Sequence, residues 1–149
     1  MLAEQAEELL SAEPWYVAAF SNLSSLVMSM VPDLNWAGFY LLRDGVLTVG
    51  PFQGKPACIE IPFGRGVCGT AAERRQTVVV PDVHQFPGHI ACDGASNSEI
   101  VVPLFRDGQV FGVLDLDSPE KNRFSDEDQA GLEEFSRILE KTAAFSEDR

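Results

Sequence analysis

The sequence predicts an α+β fold, an antiparallel sheet covered by helices. Three observations carry this. Two pairs of apolar runs flank Asp44-Gly45 and Asp107-Gly108, a dipeptide favoured in tight hairpin turns. Helical stripes occupy the ends of the chain and one short crossover. A chain-long alternation of strand and helix, the mark of a parallel sheet, is absent. With 149 residues, 45% of them hydrophobic, the chain has the size of one ordinary domain with a core that needs no staples.

The elements follow in order. Residues 2–31 read as helix in two pieces, broken near Ser11 to Pro14, because the residue before proline is biased away from helix. Pro14 suits the first turn of the second piece. Its stripe is Val17, Phe20, Leu23, Val27 and Met30. Trp36–Leu42 and Val46–Phe52 form the first hairpin. "ACIEIPF" is a short alternating strand that carries Cys58. "GVCGTAAERRQ" gives a short helix from about Val67 to Arg75, and "TVVVPDV" a strand closed by Pro81. An irregular stretch, Val83–Ser98, holds His84, His89 and Cys92. "EIVVPLFRDGQVFGVLDLDS" is the second hairpin, where Pro103 marks an edge or a bulge. The last helix starts at Ser125 with Asp128 as a capping-box variant, and its stripe is Leu132, Phe135, Ile138 and Leu139.

Bulk charge bounds the partners. The net charge of -12 disfavours nucleic acid and anionic membrane. No uncharged apolar run approaches the roughly 18 residues that span a bilayer. "MLAEQAEELL" lacks the basic and apolar regions of a secretory signal. The expected compartment is therefore a reducing cytoplasm, where cysteines do chemistry, bind metal or pack rather than form permanent disulfides.

Three groups of residues can carry chemistry. Cys58, Cys68 and Cys92 offer an attacking thiol, a resolving thiol and a loop to bring them together. Cys68, in the first turn of a helix and near Arg65, is expected to have a lowered pKa. The plainer alternative is three small buried apolar residues. Zinc held by the cysteines with His84 and His89 lacks the paired spacing of structural sites. The second group is acidic. Asp115 and Asp117 lie two apart on a strand and share a face, leaving Leu114 and Leu116 on the other. Pairing about Asp107-Gly108, with position numbers summing to roughly 215, sets them opposite Ile100 and Ser98, with Glu99 close by. If enclosed, one of the three carboxyls holds a proton near neutral pH, and the others can grip an ammonium group. The third group, "GRGVCG", is formally a dinucleotide fingerprint, but no parallel βαβ unit follows, so it reads as a tight turn into a helix. Its free amides can hold a small anion. Trp36, Gly38 and Tyr40 share one strand face, either in the core or lining a pocket for a methyl-sulfur group.

Taken together, "NWAGFYLL", "VGPFQGKPACIEIPFGRGVCGTA", "DVHQFPGHIACDGASNSEIVVPL", "GVLDLDSP" and "RFSDEDQAGLEE" resemble the free methionine-(R)-sulfoxide reductases, a GAF-domain enzyme family. The likeness runs from about Asn35 to Lys141, and the three cysteines with "HIACDGASNSEI" are its specific part. It implies a single GAF domain over 1–149 with a six-stranded antiparallel sheet: a helical segment over 1–34, then sheet, crossover helix, active-site loop and C-terminal helix over 35–149. It implies reduction of free methionine-(R)-sulfoxide to methionine. Cys92 matches the nucleophile, Cys58 the main resolving thiol, and Cys68 an accessory thiol and rival nucleophile. Glu99, Asp115 and Asp117 match the substrate-pocket acids, with Asp117 also among the catalytic residues, and Trp36 and Tyr40 lie near the substrate's methyl group. No bound cofactor or metal is implied. The implied partners are thioredoxin, itself reduced with NADPH, and a second copy in a homodimer. The rival classes are a ligand-binding GAF module, whose anionic cyclic nucleotides suit three carboxylates poorly, and a redox sensor, which would not need the acids.

Overall fold

A computed structural model describes residues 2–12, 15–89 and 94–142. Helices α1 (Leu2–Ala12) and α2 (Tyr16–Met30) precede strands β1 (Trp36–Arg43), β2 (Val46–Gly54) and β3 (Glu60–Ile61). Helix α3 (Gly66–Arg74) crosses to β4 (Val78–Val80), and a 3-10 turn covers Val83–Gln85. Strands β5 (Ser98–Arg106) and β6 (Gln109–Ser118) lead to α4 (Asp126–Thr142). The six strands form one sheet in the order β3-β2-β1-β6-β5-β4. Every pairing is antiparallel. The α+β reading and the six strands are borne out.

Both hairpins close where expected. Asp44 and Gly45 have φ of 52° and 79°, and Asp107 and Gly108 51° and 77°. Positive φ at both central residues gives the twist that suits a hairpin. The strand expected over "ACIEIPF" shrinks to Glu60–Ile61, which pair with Thr48 and Leu47. Pro56 and Pro62 bracket it and offer no N–H to a ladder. Cys58 therefore lies in coil ahead of β3 rather than on a strand.

Pro103 reports two local features. β4 pairs with Glu99, Ile100 and Val101 only, so the flank of β5 at Pro103 is open. There the Pro103 carbonyl accepts from Arg137 Nη2 at 2.9 Å. A bulge follows between Leu104 and Phe105. Near the turn, Phe105 faces Val110, as the expected register requires; beyond the bulge Glu99 faces Asp117 and Val101 faces Asp115. The expected placement of these aspartates opposite Ser98 and Ile100 is thus corrected by one residue. The step matters because directly opposed residues share a face, and a one-residue slip turns a side chain to the other. The bulge puts Glu99 on the same face as the two aspartates.

The sheet is covered on both sides. On one face α1, α2 and α4 pack on Phe39, Ile100, Val102, Leu104, Leu114 and Leu116. The Phe20 and Phe39 rings stack at 4.4 Å. In the α2 stripe Phe20, Leu23 and Val27 are deeply buried, while Val17 and Met30 are only half-buried. Helix α4 is capped as expected: Asp128 Oδ2 accepts from Ser125 N at 2.8 Å, and Asp128 N donates to Ser125 Oγ at 3.2 Å. On the other face lie α3 and the loops, over Trp36, Tyr40, Val101 and Val113. Among the described residues, no helix is long and apolar enough to cross a membrane.

Candidate functional site

The site occupies the α3 face of the sheet, where strand register builds it row by row. One row across the sheet runs Gly54, Trp36, Asp117, Glu99, Val80. The next runs Phe52, Gly38, Asp115, Val101. The first row sets Glu99 beside Asp117, two acids directly opposed on adjacent strands, an arrangement that costs stability. Above the rows, a pocket partly open to solvent is lined by the acids, Trp36, Tyr40, Cys68, His89 and Ser96, among others.

The aromatic wall is held by polar tips. Trp36 and Tyr40 rings lie 5.9 Å apart and Trp36 and Phe52 rings 5.1 Å apart, each pair stacked. Trp36 Nε1 donates to the Lys55 carbonyl at 3.1 Å, and the Tyr40 hydroxyl donates to the Cys58 carbonyl at 3.0 Å. Both rings are thereby fixed as an apolar surface. Gly38 makes room for Phe52, which stacks on Trp36, because a Cβ there would come 2.3 Å from Phe52 Cβ.

Electrostatics set the acids apart. Glu99 and Asp115 are buried, and Asp117 is half-buried. Burial, then the charges of Asp115 and Asp117, push the Glu99 carboxyl well above its ordinary range. Burial also raises Asp115, while hydrogen bonds from Glu99 and Cys68 oppose the rise. Glu99 and Asp115 are raised together, so they titrate as a pair that holds a shared proton beyond the ordinary carboxylate range. Asp115 Oδ1 is buried with no hydrogen-bond partner among the described residues. Burial and the same acids keep the Tyr40 phenol protonated. His89 lines the pocket with Nε2 3.9 Å from Glu99 Oε1, and burial lowers its pKa.

A GAF domain family match covers residues 3–142. The chain is similar to the free methionine-R-sulfoxide reductase of Escherichia coli strain K12, at 53% identity over 93% of this chain and 84% of that protein. It superposes on a Staphylococcus aureus fRMsr structure in complex with substrate with a TM-score of 0.91, at 52% identity over 96% of this chain and 94% of that one. A Neisseria meningitidis free methionine-R-sulfoxide reductase structure in complex with its substrate gives a TM-score of 0.91, at 45% identity over 95% and 85% of the two chains. This chain belongs to the GAF-domain free methionine-R-sulfoxide reductase family. For a reductase of this family, the pocket brings together six of the eight residues singled out in the sequence: Trp36, Tyr40, Cys68, Glu99, Asp115 and Asp117.

The thiols divide. Cys92 lies outside the described residues. Cys58 is half-buried and disulfide-bonded. Cys68 is free and buried. The expected lowering of the Cys68 pKa is overturned: burial, then the charges of Asp115, Glu99 and Asp117, push it well up. Its position in the first turn of α3 cannot offset three acids, and Arg65 is exposed. This reductase therefore holds Cys68 as a thiol, which weakens it as a rival nucleophile.

The remaining motifs separate by position. His84 is exposed, with Nε2 3.0 Å from Asn97 Oδ1, and does not line the pocket. Among the described residues, the group with metal-ligand spacing is Cys68, Glu99 and Asp115, without either histidine of the zinc set weighed from the sequence. "GRGVCG" is a tight turn, with φ of 82° at Gly64 and 60° at Gly66, entering a helix over an antiparallel sheet. Pro56, Ala57, Ile61, Val67 and Ser96 line the pocket without having stood out in the sequence. Ser96 is buried and its Oγ accepts from Asn35 Nδ2 at 3.0 Å. Only its place just before Glu99 hinted at this.

Proposed function

We propose that this chain reduces free methionine-R-sulfoxide to methionine. The observation that carries the reading is the row of Trp36, Asp117 and Glu99, with Asp115 in the next row. It sets an apolar wall against a buried, proton-sharing acid cluster. The substrate's methyl-sulfur end lies against Trp36 and Tyr40. Its ammonium group pairs with Asp117 and Asp115 and relieves their repulsion of Glu99. Glu99 gives its proton to the sulfoxide oxygen, which makes the sulfur electrophilic. A peptide-bound methionine sulfoxide has no free ammonium, so it binds poorly.

The sulfur steps follow the family resemblance. The Cys92 thiolate attacks the sulfoxide sulfur, methionine leaves with the electron pair, and the oxygen stays on Cys92 as a sulfenic acid. The Cys58 thiol displaces that oxygen as water and forms a disulfide. An external dithiol, thioredoxin reduced with NADPH, exchanges with the disulfide and restores both thiols. Cys58 is bonded while Cys68 is free, and the chain has three cysteines; this supports the pairing of Cys58 with Cys92. No bound cofactor takes part, the working unit is a homodimer, and the compartment is the cytoplasm.

Thioredoxin-coupled NADPH oxidation with each sulfoxide epimer, free and peptide-bound, tests the reading. Turnover confined to the free R epimer is expected. Equal turnover of peptide-bound substrate removes the ammonium from recognition, and no turnover of any epimer removes the activity.

A further inference from the structure

The pocket holds a donor set that the proposed reduction does not use in full. Cys68 Sγ, a Glu99 carboxylate oxygen and an Asp115 carboxylate oxygen lie within 4.8 Å of one another, and all three residues are buried. Cys68 takes no part in the sulfur steps above. Asp115 Oδ1 is buried, has no hydrogen-bond partner among the described residues, and its side chain lines the pocket. The hydrogen bonds that Glu99 and Cys68 give the Asp115 carboxyl leave this one oxygen without a donor, which is costly. The cost is relieved by a cation that reaches it.

We propose that Cys68, Glu99 and Asp115 bind a borderline divalent transition-metal ion such as Zn²⁺ when no amino acid occupies the pocket. The donor chemistry selects this class. One sulfur with two carboxylate oxygens is too soft for magnesium or calcium, which take oxygen-only sets, and suits zinc or cobalt(II). Zinc bonds of about 2.0–2.3 Å hold neighbouring ligand atoms roughly 3.5 Å apart, so donors within 4.8 Å of one another close in by about 1.3 Å at most. On binding, the metal–sulfur bond forms as the Cys68 S–H bond breaks, and the proton leaves with the one shared by Glu99 and Asp115. No electron is transferred. The metal replaces mutual repulsion among the acids with attraction to a common centre, as the ammonium group does in the proposed function. Metal and substrate thus exclude each other, and this last clause rests on that reading.

The test titrates the purified full chain, its Cys58 disulfide intact, with Co²⁺, whose thiolate complexes show a sulfur-to-metal charge-transfer absorption. A saturable band is expected that Zn²⁺ displaces, that Cys68→Ser abolishes, and that Glu99→Gln weakens by about tenfold or more in affinity. No band, or a band that survives in Cys68→Ser, overturns the site. If Cys68→Ser does not fold by circular dichroism, Asp115→Asn decides, and undiminished cobalt affinity overturns the site. Adding free methionine-R-sulfoxide then separates the two readings. Loss of the band supports both. A Cys68-dependent band that withstands saturating sulfoxide keeps the metal site and removes the acids from ammonium binding. Turnover of the sulfoxide with no cobalt band keeps the reductase and removes the metal site.

Discussion

The two faces of the sheet are written into the same strands, and they are built to opposite rules. On β6, Leu114 and Leu116 point into the three-helix core and are fully buried. Between and beyond them, Asp115 and Asp117 point to the pocket. On β5, Ile100 faces the core and its neighbour Glu99 the acids. On β1, Phe39 stacks on Phe20, while Trp36 and Tyr40 wall the site. Side-chain alternation lets one backbone serve both purposes. The helical face gains from each contact it makes. The pocket face spends part of that gain on holding like charges together. The difference means that stability and chemistry separate by residue parity, and substitutions can take them apart.

The largest expected effect falls on the pocket side of this contrast. Cys92→Ser is expected to reduce sulfoxide turnover to background, measured by NADPH consumption with thioredoxin, because serine is a far weaker nucleophile. Turnover equal to wild type would remove Cys92 from the chemistry. Glu99→Gln keeps the shape and removes the proposed proton donor. Its rate is expected to fall by about 10²–10⁴, the usual worth of a positioned acid. Its urea midpoint should stay level or rise, since a repelling buried acid is gone.

The helical face should answer in reverse. Phe39→Ala is expected to cost about 3–5 kcal/mol in chemical denaturation, the typical price of an emptied aromatic site. The kcat of the fraction still folded should stay near wild type, and a kcat collapse without loss of stability would show the faces to be coupled.

A smaller effect sharpens the comparison through pH. Glu99 ionises at about 4.5 in its ordinary state, and folding raises that value well above it. The folded chain then binds more protons than the unfolded one at pH values above about 4.5, so stability from this group is full below that point and is lost as pH rises through the folded value. Asp115 shifts in the same direction. Denaturation midpoints should decline as pH climbs above about 4.5 toward the folded value, and Glu99→Gln should flatten the decline. An unchanged slope would mean that Glu99 ionises as freely in the fold as out of it.

Much of this was legible in the chain, for local reasons. Asp44-Gly45 and Asp107-Gly108 announce their turns because few other residue pairs take positive φ twice in succession. Ser125 and Asp128 announce the start of α4 through a cap that needs no tertiary partner. The acids and aromatics were visible as face-sharing residues, because parity follows from the strand itself. What could not be read is what depends on other segments. The bulge at Leu104 and Phe105 shifts register by one and decides which acid meets Glu99, yet Pro103 gave only a hint of it. Cys68 sits where a helix start would lower its pKa, and only the fold reveals the acids that raise it. His89 could be told from His84 only once the pocket existed.

Single-turnover reduction of free methionine-R-sulfoxide by Glu99→Gln, with its denaturation midpoint measured on the same preparation, probes the division of labour most directly. A rate lowered at least about a hundredfold, beside a midpoint equal to or above wild type, is the expected pair. A wild-type rate, or a rate loss matched by unfolding, would contradict it.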